Sequence, residues 1–305
     1  HFGDTADMPT LVYLIRHGAT ELSAEDRFSG SSDPPLSDEA VFWMIAARRG
    51  YAVIESLSTN RCPTLDQTEI AMRLIAAGQH DTLADHLQFF DVLHRNVAYR
   101  LITMGMGQAV MSHLDRFDGL DHPKVANLLL SFGQRQTLED HIDKLSGLDQ
   151  RIALRLIDYG GGLTVAKNPG RFTDADHGEL MERMFLVGLG EFVAQHIEGF
   201  KGINHKALAM RLIADGKKHA VTMFLGRLSG LDSKVAEALI AGECGSSVAC
   251  NLDCFECLDH ADVADRLLAS GQGRSIAFCM KYFRGLDRHA IALRLIDSGD
   301  GLAVV

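Results

Sequence analysis

The chain has 305 residues, 47% of them apolar and 23% charged, enough apolar material for a sizeable core and too much for a disordered tail. Its 40 Asp and Glu against 30 Lys and Arg give a formal net charge of −10, the wrong sign for a sequence-blind nucleic-acid binder or for docking on anionic lipid. No apolar run approaches the roughly 18 residues of a membrane span, no charged-then-apolar leader opens the chain, and six unevenly spaced cysteines do not make a secreted disulfide scaffold, so no membrane partner and a cytoplasmic location are expected.

Residues 1–37, with a reach to about residue 65, form the first block. An apolar β-type run from Leu11 to Ile15 ends in Arg16-His17-Gly18, followed by Arg27-Phe28-Ser29-Gly30 and Asp33-Pro34-Pro35-Leu36. These strings closely resemble the first strand and phosphate loop of the histidine phosphatase family, which includes the phosphoglycerate mutases. More loosely, residues 48–71 are similar to the family's second strand and arginine-bearing loop. The resemblance implies a short α/β segment of one or two strands. It also implies His17 as a phosphorylated nucleophile, with Arg16 and Arg61 as phosphate ligands: an imidazole nitrogen attacks phosphorus while guanidinium groups hold the equatorial oxygens. Ser23 and Ala40 stand where the family usually has Asn and Gly, and its later half has no counterpart here. The segment therefore reads as ancestry, with phosphatase or mutase activity on a phosphomonoester as an alternative.

Residues 38–305 are repetitive. Glycine recurs at Gly50, Gly78, Gly105, Gly133, Gly160, Gly188, Gly216, Gly242, Gly271 and Gly299, at intervals of 26 to 29 residues. Each unit reads as two helices. The first opens on a capping residue (Asp66, Asp121, Asp149, Asp176, Asn204, Asp232, Asp259, Asp287), carries apolar residues at helical spacing, and stops at the recurring glycine in a left-handed conformation. The second helix carries a late aromatic: Phe89, Phe117, Phe172, Phe200, Phe255 or Phe283. A helix pair of this length cannot bury both apolar faces alone, but a stack can. The expectation is an all-α fold, an α-solenoid of about nine to ten two-helix repeats with the last one truncated, preceded by the short α/β segment. Pro169 and Gly170 fall inside a second helix and predict a break or hinge there. The uncapped apolar end, Leu302 to Val304, suggests self-association.

Three sets of residues could carry function. The turn after each glycine varies from unit to unit while its apolar flanks stay fixed, which points to a binding ridge made of His80, Asp81, Gln108, Arg135, Gln136, Glu191, Lys218, His219 and Arg274. Arginine and histidine also recur at fixed positions. The arginines (Arg73, Arg100, Arg155, Arg183, Arg211, Arg266, Arg294) read as structural ion-pair partners, with a phosphate-tracking stripe as the alternative. The histidines (His86, His113, His141 and His196; His122, His177, His205 and His260) read as capping or stacking residues. Cys250, Cys254 and Cys257 at i, i+4 and i+7 would share one helical face and, with Cys244 or Cys279, could hold a thiophilic metal or form a redox pair.

The repeat is similar in rhythm to TALE-like DNA-binding repeats, which implies sequence-dependent nucleic-acid binding. Those repeats run longer and are basic overall, whereas acidic side chains outnumber basic ones over residues 66–305. The expectation is thus a non-enzymatic scaffold without a cofactor, binding a protein or peptide through its turns.

Overall fold

An acceptor side chain, a helical apolar pattern and a left-handed stop, recurring every 28 residues or so, fix helix boundaries by local chemistry alone. The computed structural model describes residues 36–59 and 66–299, so Leu11–Ile15 and Leu302–Val304 lie outside the described residues. Most described residues are helical, and the named strands are two residues long. The chain divides after Leu148 into two compact units.

In the first unit, α1 (Asp38–Ala46), α3 (Gln67–Ala76), α5 (Arg95–Thr103) and α7 (His122–Ser131) alternate with α2 (Gly50–Ser58), α4 (His80–Ala84), α6 (Gly107–Ser112) and α8 (Arg135–Asp140). In the second, α9 (Gln150–Leu156), α11 (His177–Leu186), α13 (His205–Ala214), α15 (Ser233–Ala241), α17 (His260–Ala269) and α19 (Arg288–Asp297) alternate with α10 (Gly162–Lys167), α12 (Gly190–Gln195), α14 (Lys218–Met223), α16 (Gly245–Ala249) and α18 (Arg274–Cys279). Odd-numbered helices contact odd, and even contact even, within each unit: α5 packs on α7, and α16 on α18. Leu74, Leu101 and Leu129 are fully buried in this stacking, each such side chain contributing about 1.5–3 kcal/mol. In the first unit, Leu93–His94 (β1) and Phe117–Asp118 (β2) pair in parallel and tie one module to the next.

The expected caps are present. Asp66 accepts from the Thr68 N–H at 2.8 Å, Asp149 from Ile152 at 2.9 Å, and Asp176, Asn204, Asp232, Asp259 and Asp287 do the same at their helices. The left-handed stop is glycine at 78, 105, 133, 160, 188, 216, 271 and 299. Two expected glycines are not stops. Arg48 (φ 59°) and Glu243 (φ 64°) take the left-handed conformation instead, while Gly50 opens α2 and Gly242 caps α15 with φ −83°. With Glu243 as the stop, the neighbouring intervals become 27 and 28 residues.

The even-numbered helices are shorter than the sequence suggested. From α4 on they last five or six residues and give way to a 3-10 turn. This removes the expected break at Pro169: α10 stops at Lys167, and Pro169 opens the 3-10 turn Pro169–Arg171, where its missing N–H is not needed. After the turn the backbone extends and drives the aromatic inward. Phe117, Phe172, Phe200, Phe255 and Phe283 are buried there, but Phe90 replaces Phe89, which is 41% exposed.

Candidate functional site

The turns between odd and even helices have three consecutive positions, each with its own task. The first, directly after the left-handed residue, is a clamp. Gln79 turns back onto the preceding module, its Oε1 accepting from the Gly50 N–H at 2.8 Å and its Nε2 donating to the Ile45 carbonyl at 2.7 Å. Gln134 does the same to Gly107 (2.7 Å) and Ile102 (2.6 Å), and Gln272 to Gly245 and Ile240 (both 2.7 Å). The N–H that opens a helix lacks an intrahelical partner, and the carbonyl, which also accepts from the left-handed residue's N–H, has a second lone pair, so one primary amide serves both.

The second position is the seat of that clamp. A Cβ on Gly107 would stand 2.3 Å from Gln134 Oε1, and one on Gly245 2.5 Å from Gln272 Oε1, so the seat under a glutamine is glycine. Where the seat carries a side chain, the next clamp is not glutamine: Met106 follows His80, and Cys244 follows Lys218. Lys218 supplies its own closure, its Nζ donating to the Gly242 carbonyl. Much of the variation in the turns is therefore complementarity between neighbouring modules.

The third position is the edge. In the first unit it is Tyr51, Asp81, Gln108 and Gln136, all exposed. In the second it is Leu163, Glu191, His219, Ser246 and Arg274, of which Glu191 alone is half-buried. The expected ridge thus separates into two rows. Asp81, Gln108, Gln136, Glu191, His219 and Arg274 lie on the edge, while His80, Arg135 and Lys218 are half-buried seats. His80 stands 4.0 Å from Asp81, and Arg135 pairs with Glu139 at 3.4 Å, whose carboxyl is pushed up by burial first and by Asp140. Gln108 meets His141 at 3.1 Å, and Gln136 donates to Asp140 at 2.8 Å. Tyr51, Leu163 and Ser246 were missed. Placing Gly50 and Gly242 as stops shifted the register there, and Leu163 did not look like a polar contact residue.

The arginine row is occupied by carboxylates and rings. Arg73 pairs with Glu69 at 2.7 Å and lies 3.7 Å over the Phe42 ring. Arg183 pairs with Asp158 at 2.6 Å, a contact whose hydrogen bond holds the Asp158 carboxyl below its usual range. Arg211 reaches Glu182, Arg266 reaches Asp262 and Glu237, and Arg294 reaches Asp265. Arg155 lies 5.8 Å over Tyr159, while Arg100 is exposed.

The histidines divide by proton position. His86 and His113 donate from Nδ1 to the carbonyl four residues back, closing the end of α4 and of α6. His122, His177, His205 and His260 instead accept at Nδ1 from the N–H 24 residues on: Ser146, Lys201, Ser229 and Arg284, at 2.6 to 3.0 Å. That acceptor exists only in the neutral ring. Burial first, then the Lys201 charge, pushes the His177 pKa down.

The cysteines do not share a helical face. α16 ends at Ala249, Cys254 closes the 3-10 turn Leu252–Cys254, and Cys257 is left-handed at φ 54°. Cys250 is disulfide-bonded to Cys279, with a Cα–Cα distance of 5.2 Å. Cys244 is buried, and burial raises the Cys254 thiol. Among the described residues no three His, Cys, Asp or Glu side chains converge as a metal site, so Cys250, Cys254 and Cys257 are not brought together. No described helix is long and apolar enough to cross a membrane.

Arg16, His17 and Arg61 lie outside the described residues. Residues 12–51 match the family model of the histidine phosphatase superfamily (branch 1), in agreement with the resemblance of that stretch. The match takes in Arg16 and His17, stops before Arg61, and ends inside α2. No curated protein and no solved structure matches the chain.

Proposed function

We propose that the protein is a non-enzymatic helical-repeat scaffold of the cytoplasm that binds a protein or peptide through its edge residues. One observation supports the reading. The clamp and seat are matched to their neighbours, whereas the adjoining edge position carries tyrosine, aspartate, glutamine, leucine, glutamate, histidine, serine or arginine and is exposed at all but the half-buried Glu191. No clamp depends on the edge residue, so its variety is what a row of distinct contacts would need. The charge of −10 and the carboxylates on the arginine row favour a protein or peptide over nucleic acid.

A photo-crosslinking residue at 81, 108, 191 or 219 tests this in the intact protein, with position 253, beyond α16, as control. Protein adducts from the edge positions alone are expected. Equal adducts from position 253 refute the reading, and adducts to nucleic acid that vanish with salt favour the TALE-like alternative.

A second reading rests on the match over residues 12–51, that His17 forms a phosphohistidine with Arg16 and Arg61 as phosphate ligands. Phosphate release from a generic phosphomonoester, lost in His17→Ala, would support it. Equal rates for wild type and His17→Ala would leave the segment as ancestry.

A further inference from the structure

The disulfide crosses from one module to the next. Cys250 caps the end of α16 and Cys279 ends α18, so the closed loop contains all of α17. We infer that Cys250 and Cys279 are a reversible thiol–disulfide pair that staples neighbouring modules of the second unit, closing under oxidation without being required for the fold.

Three observations carry this. First, the two stations meet by packing: α16 lies on α18, and the Cα–Cα distance of 5.2 Å falls within the range a disulfide spans with no backbone movement. Second, earlier modules hold the same two stations without a covalent link, as Lys167 with His196, Gln195 with Phe224 and Met223 with Asn251. The stack therefore forms without the bond. Third, the two sulfurs differ in access. Cys250 is exposed and Cys279 is buried at 2% exposure, so a small thiol or disulfide reaches the pair through Cys250.

The chemistry balances with a low-molecular-weight disulfide, such as glutathione disulfide, as oxidant. The Cys250 thiolate attacks one sulfur of the oxidant, forming a mixed disulfide and releasing one glutathione thiolate. Cys279 loses its proton, and its thiolate attacks Cys250 Sγ and expels the second. Two electrons pass from the protein to two glutathione molecules, and excess reduced thiol runs the sequence backwards. Cys254, whose thiol burial holds in the protonated form, stays outside the exchange.

The test uses the full chain in glutathione buffers of graded oxidised-to-reduced ratio, quenched with acid, then unfolded, alkylated and read by peptide mass. Cys250 and Cys279 should lose reactivity together across the series while Cys254 and Cys257 stay alkylated. In the oxidised protein, amide exchange over α17 and α18 should be slower by on the order of a hundredfold, as expected for closing a loop of this length. Cys250→Ser, at an exposed site, should exchange like reduced wild type in every buffer; Cys279→Val keeps the buried site apolar and provides a second check. Alkylation of Cys250 and Cys279 at every ratio overturns the proposal. So does equal exchange in oxidised and reduced protein, or unfolding of the second unit on reduction.

Discussion

Two junctions between modules solve one problem differently. Between α6 and α8, Gly107 leaves room for Gln134, whose amide satisfies the Gly107 N–H and the Ile102 carbonyl. Between α14 and α16, Lys218 occupies the seat and reaches forward to the Gly242 carbonyl, while the clamp position holds Cys244 with its thiol 3.6 Å from that same carbonyl. At both, a backbone group at a helix end receives a partner from a side chain near the turn. The difference teaches that a variable turn is not by itself a recognition surface: two of its three variable positions answer to a neighbour, and only the third lies outside the joint.

The largest expected effect breaks the first junction. Gln134→Ala should destabilise the first unit by about 1–3 kcal/mol, because the Gly107 N–H loses its acceptor. Gly107→Ala should cost about as much through overpacking against Gln134 and Leu129. The double variant should lose clearly less than the two single losses added, since Gln134 enters both. Urea unfolding measures all three, and strict additivity would contradict the clamp.

A second comparison sharpens the joints made by histidine. His177 must be neutral to accept from Lys201, and its pKa is depressed in the fold, so the unfolded chain takes up its proton first as pH falls. Its contribution is present in full above the unfolded value of about 6.5 and is lost as pH drops below it. Gln67 and Gln150 stand at the same module position and accept from Asp91 and Asp176 through Oε1. His177→Gln should therefore keep the bond, worth about 0.5–1.5 kcal/mol, and flatten the acid side of the stability profile. Thermal melts between pH 5 and 7.5 would show it, and an unchanged slope would remove His177 as its source.

Smaller effects belong to the stops and the edge. Glu243 sits at φ 64°, where most modules have glycine, so Glu243→Gly should raise stability by up to about 1 kcal/mol. Asp81→Lys and His219→Glu, both exposed, should change stability by no more than about 0.5 kcal/mol. Binding should weaken all the same, and a stability loss of several kcal/mol would mean that the edge is part of the frame.

The features legible in the sequence are those decided within a few residues. Asp66, Asp149 and Asp287 announce their helices because a cap acts two or three positions ahead, and Gly78 or Gly216 announces a stop because left-handed backbone suits glycine. Gly50 and Gly242 misled because glycine is not confined to the left-handed stop: Gly50 gives clearance beneath Gln79, and Gly242 is an ordinary C-cap one residue before the stop at Glu243. Gln79 and Gly50 are 29 positions apart, and their match appears only once the modules are stacked. Cys250, Cys254 and Cys257 looked like one face only on the assumption of an unbroken helix. The 3-10 turn that follows the short helix carries Cys254 and Cys257 off that face, and Cys250, at the helix end, is bonded to Cys279.

The clamp also means that the modules are not interchangeable tiles. Each behaves like a domino whose trailing half must agree with the leading half of the piece laid after it, a glutamine clamp calling for glycine beneath it and a filled seat for a different clamp. Shuffling α5–α6 with α13–α14 would place Lys218 beneath Gln134 and leave Gly107 without its amide. A chain assembled this way can lengthen by copying matched neighbours together, but single modules cannot be reordered freely, so the order of its edge residues is held in place by the joints behind them.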